Sequence, residues 1–321
     1  MKIAVVGCGA LGSYYGARLC RAGHEVHFLL RSDYEAVRQH GVWIESPEGH
    51  FHVQPFCARA PQEIGHSDLV LIALKTTANR VLPQLLPPLI APQTAVLTLQ
   101  NGLGNESVVA ATAGAEKTMG GVCYVCLNRI APGRVLPLAG GAIVLGEYDR
   151  LPQARTSQIC QAIADSGVTC KVAENLTQAR WKKLVWNIPF NGLGVAGAAG
   201  LDAVLQGRIQ PGTALQGCLP TDVLLAHPVW EKLVRELMME VIAAGRAQGL
   251  DVPEADADHQ IERTRQMTAY KASTVLDFEN GRELELEGLF LEPLRQARQA
   301  GVPCPRLEAL CAVLTQMAGK S

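Results

Sequence analysis

The sequence predicts an α/β protein, with a Rossmann-like, doubly wound sheet in its N-terminal part and an all-helical C-terminal domain. Two observations support this fold class. Short apolar runs alternate with helical patterns in the first half of the chain, whereas from Glu174 onward helix follows helix. We therefore place a domain boundary near Ala173, which gives domains 1–173 and 174–321. The length of 321 residues, 48% of them hydrophobic, agrees with two domains of roughly 150 residues that each bury a core.

The charge balance and the cysteine pattern exclude several classes of partner. With 29 basic and 30 acidic residues the formal net charge is −1, so we expect no nucleic-acid or membrane partner. No signal peptide or membrane span is predicted, and the eight histidines form no ligand cluster. The closest pair of thiols, Cys123 and Cys126, lies in a strand-like segment, which does not favour a redox or zinc site. We expect a cytoplasmic protein with reduced thiols, no metal and a small-molecule partner.

The first predicted strand leads directly into a glycine-rich turn. Residues 3–6 are apolar, residues 7–12 read Gly-Cys-Gly-Ala-Leu-Gly, and a helix is predicted from Tyr14 to Ala22. In this context the first glycine makes the turn, the second lets the backbone approach a pyrophosphate, and the third packs the helix against the strand. The positive end of the helix then faces the anion. The pattern predicts a dinucleotide site at Gly7, Gly9, Ala10, Leu11 and Gly12.

The end of the second strand indicates which dinucleotide is bound. The predicted strand Glu25–Leu30 is followed by Arg31, about 20 residues after the last glycine of the turn. An acidic residue here binds the ribose 2′-hydroxyl of NAD, whereas an arginine suits the 2′-phosphate of NADP. Arg31 favours NADP. Asp33, two residues later, keeps an NAD site open as the alternative.

Two more polar side chains follow predicted parallel strands. The runs Asp68–Leu74 and Ala95–Leu99 are apolar enough to be buried on both faces of a sheet. Lys75 and Asn101 come just past their carboxyl ends, where open α/β sheets bind ligands. The glycines that follow Asn101 indicate backbone close to a ligand. The rest of this domain is predicted as a strand over 119–126, antiparallel segments at 134–137 and 142–146, and a helix over 153–166.

A polar row marks the first helix of the second half. Lys183, Asn187 and Asn191 lie four residues apart, which places them on one helix face. A cation and two amides in register suit a carbonyl and a carboxylate, and the alternative interpretation is a solvated helix face. Lys182 points to another face. Pro189 predicts a kink or a missing hydrogen bond between the two asparagines.

An alternating acidic and aliphatic segment lies near the end of the chain. Whether it forms a strand or the first turn of a helix, the pattern over 284–289 directs either Glu285 or Glu287 inward. The other helices of this half are predicted at Pro228–Ala247, Ala255–Phe278, 293–300 and 307–318.

The chain contains several ordered motifs: the glycine turn at 7–12, Arg31, Leu74-Lys75, Gln100 to Gly104, Trp181 to Leu184 with Asn187 and Asn191, Lys271 to Ser273, and Gly281-Arg282 leading to Leu284 to Glu287. Together these motifs resemble the ketopantoate reductase (2-dehydropantoate 2-reductase) family, and the resemblance spans nearly the whole chain. It implies a Rossmann domain, an all-helical second domain, and reduction by NADPH of a 2-oxo acid, most specifically ketopantoate to pantoate in pantothenate biosynthesis.

The resemblance also implies a role for each candidate residue. Lys183 corresponds to the catalytic lysine, which polarises the carbonyl and protonates the alkoxide after hydride transfer. Glu285 corresponds to the active-site glutamate, because its spacing from Ser273 matches that of the family. We expect partial burial to lower the lysine pKa and the glutamate to limit that fall. Substrate contacts are implied for Asn187, Asn191 and Ser273, a position between nicotinamide and substrate for Asn101, a backbone contact with the cofactor for Cys126, and NADP binding for Arg31 and Lys75.

Two departures from the family pattern leave the substrate open. The run 192–201 is more apolar than usual, and Gln206 to Thr221 looks like an insertion beside it. We expect a small apolar wall that accepts a bulkier or more apolar 2-oxo acid. The alternatives are a reductase of a different 2-oxo acid or of an imine and, less favoured, a non-catalytic NADP-binding sensor. The apolar helices of the second half are candidates for a homodimer face.

Overall fold

The computed structural model describes residues 1–46 and 49–319. The chain divides into two units, Met1–Leu176 and Thr177–Ser321. The first unit is α/β and the second is helical across its described residues. The predicted fold class is therefore confirmed.

The first unit contains one mixed sheet, which has ten strands in the described residues. The strands are β1 (Lys2–Val6), β2 (Glu25–Leu29), β3 (Val42–Ser46), β4 (Gly49–Val53), β5 (Phe56–Ala58), β6 (Leu69–Ile72), β7 (Ala95–Thr98), β8 (Thr118–Ala131), β9 (Arg134–Glu147) and β10 (Cys170–Val172). Their order is β4-β3-β9-β8-β7-β6-β1-β2-β5, with β10 beside β9. The strands from β8 to β5 in this order run parallel, as a doubly wound sheet requires.

Helices cover this sheet and explain its apolar strands. Every residue of β6 and β7 is buried, which agrees with strands covered on both faces. The first helix starts at Ala10, earlier than predicted, because the glycine turn itself leads into the helix. The helices of this unit are α1 (Ala10–Arg21), α2 (Tyr34–His40), α3 (Pro61–Ile64), α4 (Leu82–Leu85), α5 (Asn105–Ala113) and α6 (Ala154–Asp165).

Strands β8 and β9 form one long antiparallel hairpin that curls the sheet. Strand β8 pairs with β7 only up to Gly120 and then continues past the end of β7. A register shift between Tyr124 and Val125 bends it, opposite the glycines Gly140 and Gly141. Helix α1 contacts β1 and β2 in the parallel part of the sheet and β3, β8 and β9 beyond the bend. Tyr15 Oη of this helix donates to the Gly141 carbonyl at 3.2 Å. The sequence predicted only parts of this hairpin and missed β3, β4, β5 and β10.

The second unit is built around a long central helix. This helix, α7 (Leu176–Ala196), is almost wholly buried from Leu184 onward, apart from partial exposure of Trp186. A π-helical turn at Glu287–Leu291 precedes α13. The remaining helices are α8 (Leu201–Gln206), α9 (Thr221–Ala226), α10 (Pro228–Ala247), α11 (Ala255–Arg265), α12 (Ser273–Glu279), α13 (Glu292–Gln299) and α14 (Pro305–Ala318).

The single helix predicted over Ala255–Phe278 is wrong, because the chain breaks between α11 and α12. Thr268 adopts a left-handed backbone with φ +57°. Thr221, the first residue of α9, stabilises the segment between α11 and α12. Its Oγ1 donates to the Thr268 carbonyl at 3.0 Å, and its backbone N donates to the Tyr270 carbonyl at 2.9 Å. Neither glycine nor proline marks this position, so local sequence carries no sign of the break.

Three further findings bear on the expectations from composition. All ten cysteines lie in the described residues and are free thiols. Within the described part of the chain, no helix is long and apolar enough to span a bilayer. The same residues contain no group of three metal-ligating side chains.

Candidate active site

The glycine turn between β1 and α1 has the geometry of a pyrophosphate cradle. Gly7 has φ +101°, and a Cβ there would lie 2.4 Å from the Leu74 backbone nitrogen. A Cβ on Gly12 would lie 2.2 Å from the Gly7 carbonyl oxygen. In contrast, a Cβ on Gly9 would meet no atom within 4 Å. Packing therefore requires the outer glycines, while the central one faces open space, as expected where backbone approaches a phosphate. These residues fit a dinucleotide.

The predicted cofactor residues of the first unit meet at one edge of the sheet. Arg31, Lys75 and Asn101 follow β2, β6 and β7, and the glycine turn follows β1. These four strands are neighbours in the order β7-β6-β1-β2 and run parallel, so their carboxyl ends share an edge. Arg31 and Lys75 are exposed. Within the described residues the Arg31 side chain makes no hydrogen bond or ion pair, so its guanidinium is available for a ligand.

Asp33, the alternative NAD ligand, is already engaged. Its side chain is 9% exposed, and its Oδ1 accepts from Arg129 Nη2 at 2.6 Å and from Ser32 Oγ at 2.9 Å. Arg129 comes from strand β8, far along the chain, and no sequence signal pointed to it. The charge that the end of β2 presents to solvent is therefore Arg31, which supports NADP over NAD.

Asn101 is held by a chain of side-chain amides. The backbone carbonyl of Asn101 accepts from Asn105 Nδ2 at 2.8 Å, and Asn105 Oδ1 accepts from Asn79 Nδ2 at 3.2 Å. Asn79 Oδ1 accepts from Gln100 Nε2 at 2.7 Å, and Gln100 Oε1 accepts from Thr98 Oγ1 at 2.9 Å. Asn101 itself is partly buried. This chain of hydrogen bonds fixes the loop after β7. Of its members, the sequence motifs indicated Gln100 and Asn101 but not Asn79 or Asn105.

Cys126 lies on β8 beyond the end of β7. It is partly buried and pairs with Ala139, and Cys123 is buried and pairs with Ile143. Both cysteines are strand residues, as predicted. The backbone contact with the cofactor expected for Cys126 stays a prediction.

In the second unit, the polar row lies on one helix. Helix α7 continues through Pro189 to Ala196, so Lys183, Asn187 and Asn191 share a face. Asn187 is 5% exposed and Asn191 is 3% exposed, and Lys183 is partly buried. A solvated helix face is therefore the wrong interpretation for the two asparagines.

Lys182 has a different environment from its neighbour in the sequence. Its side chain is 34% exposed, and Nζ lies 3.4 Å from Asp251 Oδ2. It forms a partly exposed ion pair, as expected for a residue that points away from the polar row.

Asn191 connects the polar row to Ser273. Its Oδ1 accepts from Thr274 N at 3.1 Å, and its Nδ2 donates to the backbone carbonyl of Asn187 at 2.9 Å. Thr274 follows Ser273 in the first turn of α12. The Asn191 amide thus joins α7 to α12 and sets where the exposed Ser273 stands. Direct substrate contact by Asn191 stays a prediction.

Glu285, rather than Glu287, faces inward. Glu285 is 6% exposed, whereas Glu287 is exposed and lies 2.6 Å from Arg295 Nη2. The turn before Glu285 is held by Asp277, which is buried and pairs with Arg282 at 3.2 Å. The π-helical turn begins two residues after Glu285, and such turns are frequent at functional sites. Sequence reasoning missed both of these features.

The apolar run after Asn191 is closely packed at Gly194 and Gly197. A Cβ on Gly197 would lie 2.4 Å from Leu219 Cδ1, and one on Gly194 would lie 2.6 Å from Val275 Cγ2. Leu219 N also donates to the Gly194 carbonyl at 2.9 Å. Val275 of α12 and Leu219 of the inserted segment 206–221 therefore occupy the space beside these two glycines. This packing contradicts the expected room for a bulkier substrate at these positions.

The fold and the glycine cradle define a dinucleotide-binding α/β protein. A model of the ketopantoate reductase PanE/ApbA family matches residues 3–150, and a model of the C-terminal domain of the same family matches residues 175–318. This chain therefore belongs to the ketopantoate reductase PanE/ApbA family, as its motifs indicated.

Individual relatives support the family assignment. A 2-dehydropantoate 2-reductase of Nostoc sp. is 37% identical over 326 residues, covering 100% of this chain and 96% of the relative. The crystal structure of 2-dehydropantoate 2-reductase from Geobacter metallireducens matches with a TM-score of 0.88 and 44% identity, covering 98% and 99% of the two chains. The enzyme structure from Methylococcus capsulatus matches with a TM-score of 0.84 and 32% identity, covering 100% and 97%. D-mandelate dehydrogenase, at 21% identity and a TM-score of 0.84 with 100% and 99% covered, shares the fold.

Proposed function

We propose that this protein reduces ketopantoate (2-dehydropantoate) to pantoate with NADPH. The observation that carries the proposal is the similarity to 2-dehydropantoate 2-reductases along the whole chain, which includes both units. The glycine cradle and the exposed Arg31 support NADPH as the reductant.

The first unit supplies the residues for the cofactor. We assign the pyrophosphate to the turn at 7–12, the 2′-phosphate to Arg31 with Lys75, and a backbone contact to Cys126. Asn101, which the amide chain holds at the edge of the sheet, is assigned to the cofactor and the substrate. When bound, NADPH supplies the hydride that reduces the 2-oxo carbon.

The second unit supplies the proton and the substrate contacts. Lys183 polarises the 2-oxo group and gives a proton to the oxygen as the hydroxyl forms. Glu285, a buried acid, orients the lysine and favours its charged form. Asn187 and Ser273 bind the polar groups of the substrate, and Asn191 positions Ser273. The substrate gains a hydride at carbon and a proton at oxygen, which completes the reduction to a 2-hydroxy acid.

The test is NADPH oxidation, followed at 340 nm, with ketopantoate and a panel of other 2-oxo acids and imines. We expect the highest kcat/KM with ketopantoate. Turnover of another 2-oxo acid or of an imine, with ketopantoate inert, would replace the proposed substrate. Tight binding of NADPH without turnover of any compound would instead support the non-catalytic sensor.

We also propose a cytoplasmic homodimer, formed through the helical unit. Exposed apolar side chains on the second unit, Leu205, Val223 and Val229, support a contact face there. A structural neighbour at 18% identity, a ketopantoate reductase from Staphylococcus aureus, is described as dimeric. Light scattering coupled to gel filtration tests the proposal, which a monomeric mass across the working concentrations would contradict.

A further inference from the structure

Asp33 stands at the N-cap position of helix α2, but its carboxylate pairs with Arg129 rather than with the helix. Asp33 immediately precedes α2, where an aspartate ordinarily accepts a hydrogen bond from the first turn of the helix. Its side chain makes no such bond. Instead the carboxylate receives the Arg129 guanidinium at 2.6 Å and the Ser32 hydroxyl at 2.9 Å. The carboxylate is therefore committed to a residue of another element.

This pair stands beside the glycine cradle. The Cys8 thiol of the turn donates to the Leu29 carbonyl at the end of β2, with 3.5 Å between sulfur and oxygen. The pKa of Cys8 is raised well above its usual value, mainly by burial, with contributions from the charges of Cys57 and Asp33. Asp33 thus lies within electrostatic reach of the turn. Arg31, the expected ligand of a 2′-phosphate, is two residues away in sequence.

The hairpin holds Arg129 in place from its other end. Arg129 pairs with Val135 near the tip of the β8–β9 hairpin. Next to it, the Gly133 carbonyl accepts from Trp43 N at 2.8 Å, which fastens the tip to β3. The guanidinium is therefore presented to the end of β2 by a fixed backbone rather than by a free loop.

The charges at this position decide which ribose can bind. An unpaired carboxylate at the end of β2 accepts a hydrogen bond from a 2′-hydroxyl and repels a 2′-phosphate. Arg129 cancels that charge. A guanidinium has five donors, Asp33 accepts from one of them, and the Arg129 side chain is 36% exposed.

We propose that Arg129 is a cofactor-selectivity residue, which neutralises Asp33 and joins Arg31 in binding the 2′-phosphate of NADPH. This inference rests on the proposed function and adds a second cation that the sequence motif does not contain. Without Arg129, the same strand end presents Asp33 as an acceptor for the 2′-hydroxyl of NADH.

The test measures cofactor binding directly with the Arg129→Ala variant. Kd values for NADPH and NADH, and for the fragments 2′,5′-ADP and 5′-AMP, are obtained by isothermal titration calorimetry. We expect the Kd for NADPH and for 2′,5′-ADP to rise by about 10- to 100-fold, the loss expected for one charge-assisted hydrogen bond. The Kd for NADH and for 5′-AMP should stay the same or fall. The double variant Arg129→Ala with Asp33→Asn should recover part of the NADPH affinity, because the repelling carboxylate is gone.

Arg134 offers a matched control on the same hairpin. It lies on β9, its side chain is 55% exposed, and its partner is Glu45, at 2.5 Å, rather than Asp33. Arg134→Ala should leave all four Kd values unchanged. Should Arg129→Ala fail to fold, Arg129→Gln removes the charge with less change of shape, and the same shift in selectivity is expected.

An equal loss of affinity for NADPH and NADH in the Arg129 variants would show a merely structural ion pair and overturn the proposal. An unchanged ratio of the two Kd values would do the same. The failure of the proposed function looks different. In that case the unmodified protein binds neither cofactor or binds NADPH without reducing any 2-oxo acid, whatever residue occupies position 129.

Discussion

At the scale of single residues, two positions that are adjacent in the chain have different environments. Lys182 and Lys183 are adjacent, yet the first makes a partly exposed ion pair with Asp251 while the second lies in line with two buried asparagines. One residue along a helix turns the side chain by about 100°. The pair therefore offers a test in which one substitution is the control for the other.

We expect Lys183→Ala to lower kcat for ketopantoate by roughly 10² to 10⁴, the range for a positioned general acid. The Kd for NADPH should change little, because the ammonium acts on the substrate. Steady-state kinetics and calorimetric titration separate these two quantities. Lys182→Ala should keep kcat nearly intact, and equal losses in both variants would show that the catalytic face is misplaced.

Arg31 gives a second prediction at this scale. Its guanidinium is exposed and has no partner in the described residues, so its removal costs no internal contact. We expect Arg31→Ala to raise the KM for NADPH by about 10- to 100-fold with little effect on the KM for NADH, since one charge-assisted bond to the 2′-phosphate is lost. The measurement is kcat/KM with each cofactor at saturating ketopantoate. Parallel losses with both cofactors would assign Arg31 a role unrelated to the 2′-phosphate.

At the scale of elements, helix α7 contains a proline in its interior and still continues for seven residues beyond it. Pro189 lacks an N–H and removes one hydrogen bond from the helix, yet the helix continues to Ala196. Burial on many sides stabilises it more than one bond does. Gly194 and Gly197 allow this close packing, because Val275 and Leu219 occupy the space that larger side chains would need.

Gly197→Ala tests that packing. The added Cβ would lie 2.4 Å from Leu219 Cδ1, so we expect the free energy of unfolding to fall by about 1–3 kcal/mol, as for other overpacked sites. Urea denaturation followed by circular dichroism measures the change. The double variant with Leu219→Ala should show a smaller cost for the added methyl group than the single variant does.

Gly217, two residues before Leu219 in the inserted segment, provides the control. A Cβ there would meet no atom within 4 Å, so Gly217→Ala should be nearly neutral. A loss at Gly217 as large as that at Gly197 would show that helix or loop propensity, rather than contact with Leu219, controls this region.

At the scale of the whole molecule, binding and stability are linked. A ligand that binds only the folded state stabilises it by about 2.7 kcal/mol at 100 times its Kd. We expect NADPH to raise the Tm of the protein more than NADH does at equal concentration. Differential scanning calorimetry measures both shifts. The difference should become smaller in Arg31→Ala, and a protein whose Tm responds to neither cofactor would contradict the assignment of the cradle.

Local patterns in the sequence determined the parts of the fold whose reasons are local. The glycine turn is a local motif, and the parallel strands β1, β2, β6 and β7 are marked by apolar runs, so both were predicted together with Arg31, Lys75 and Asn101. The polar row on α7 followed from helical periodicity. Helix α10 was predicted with its observed bounds, Pro228–Ala247, because its amphipathic pattern and its initial proline are local signals.

The tertiary structure alone decided the features that join distant segments. Arg129 meets Asp33 across 96 residues, Leu219 covers Gly197 from an insertion, and Thr221 pins the break before α12. Which of two alternating glutamates turned inward also depended on what packs around them. No local pattern encodes such contacts, because their free energy exists only once separate elements have packed together and excluded water from between them.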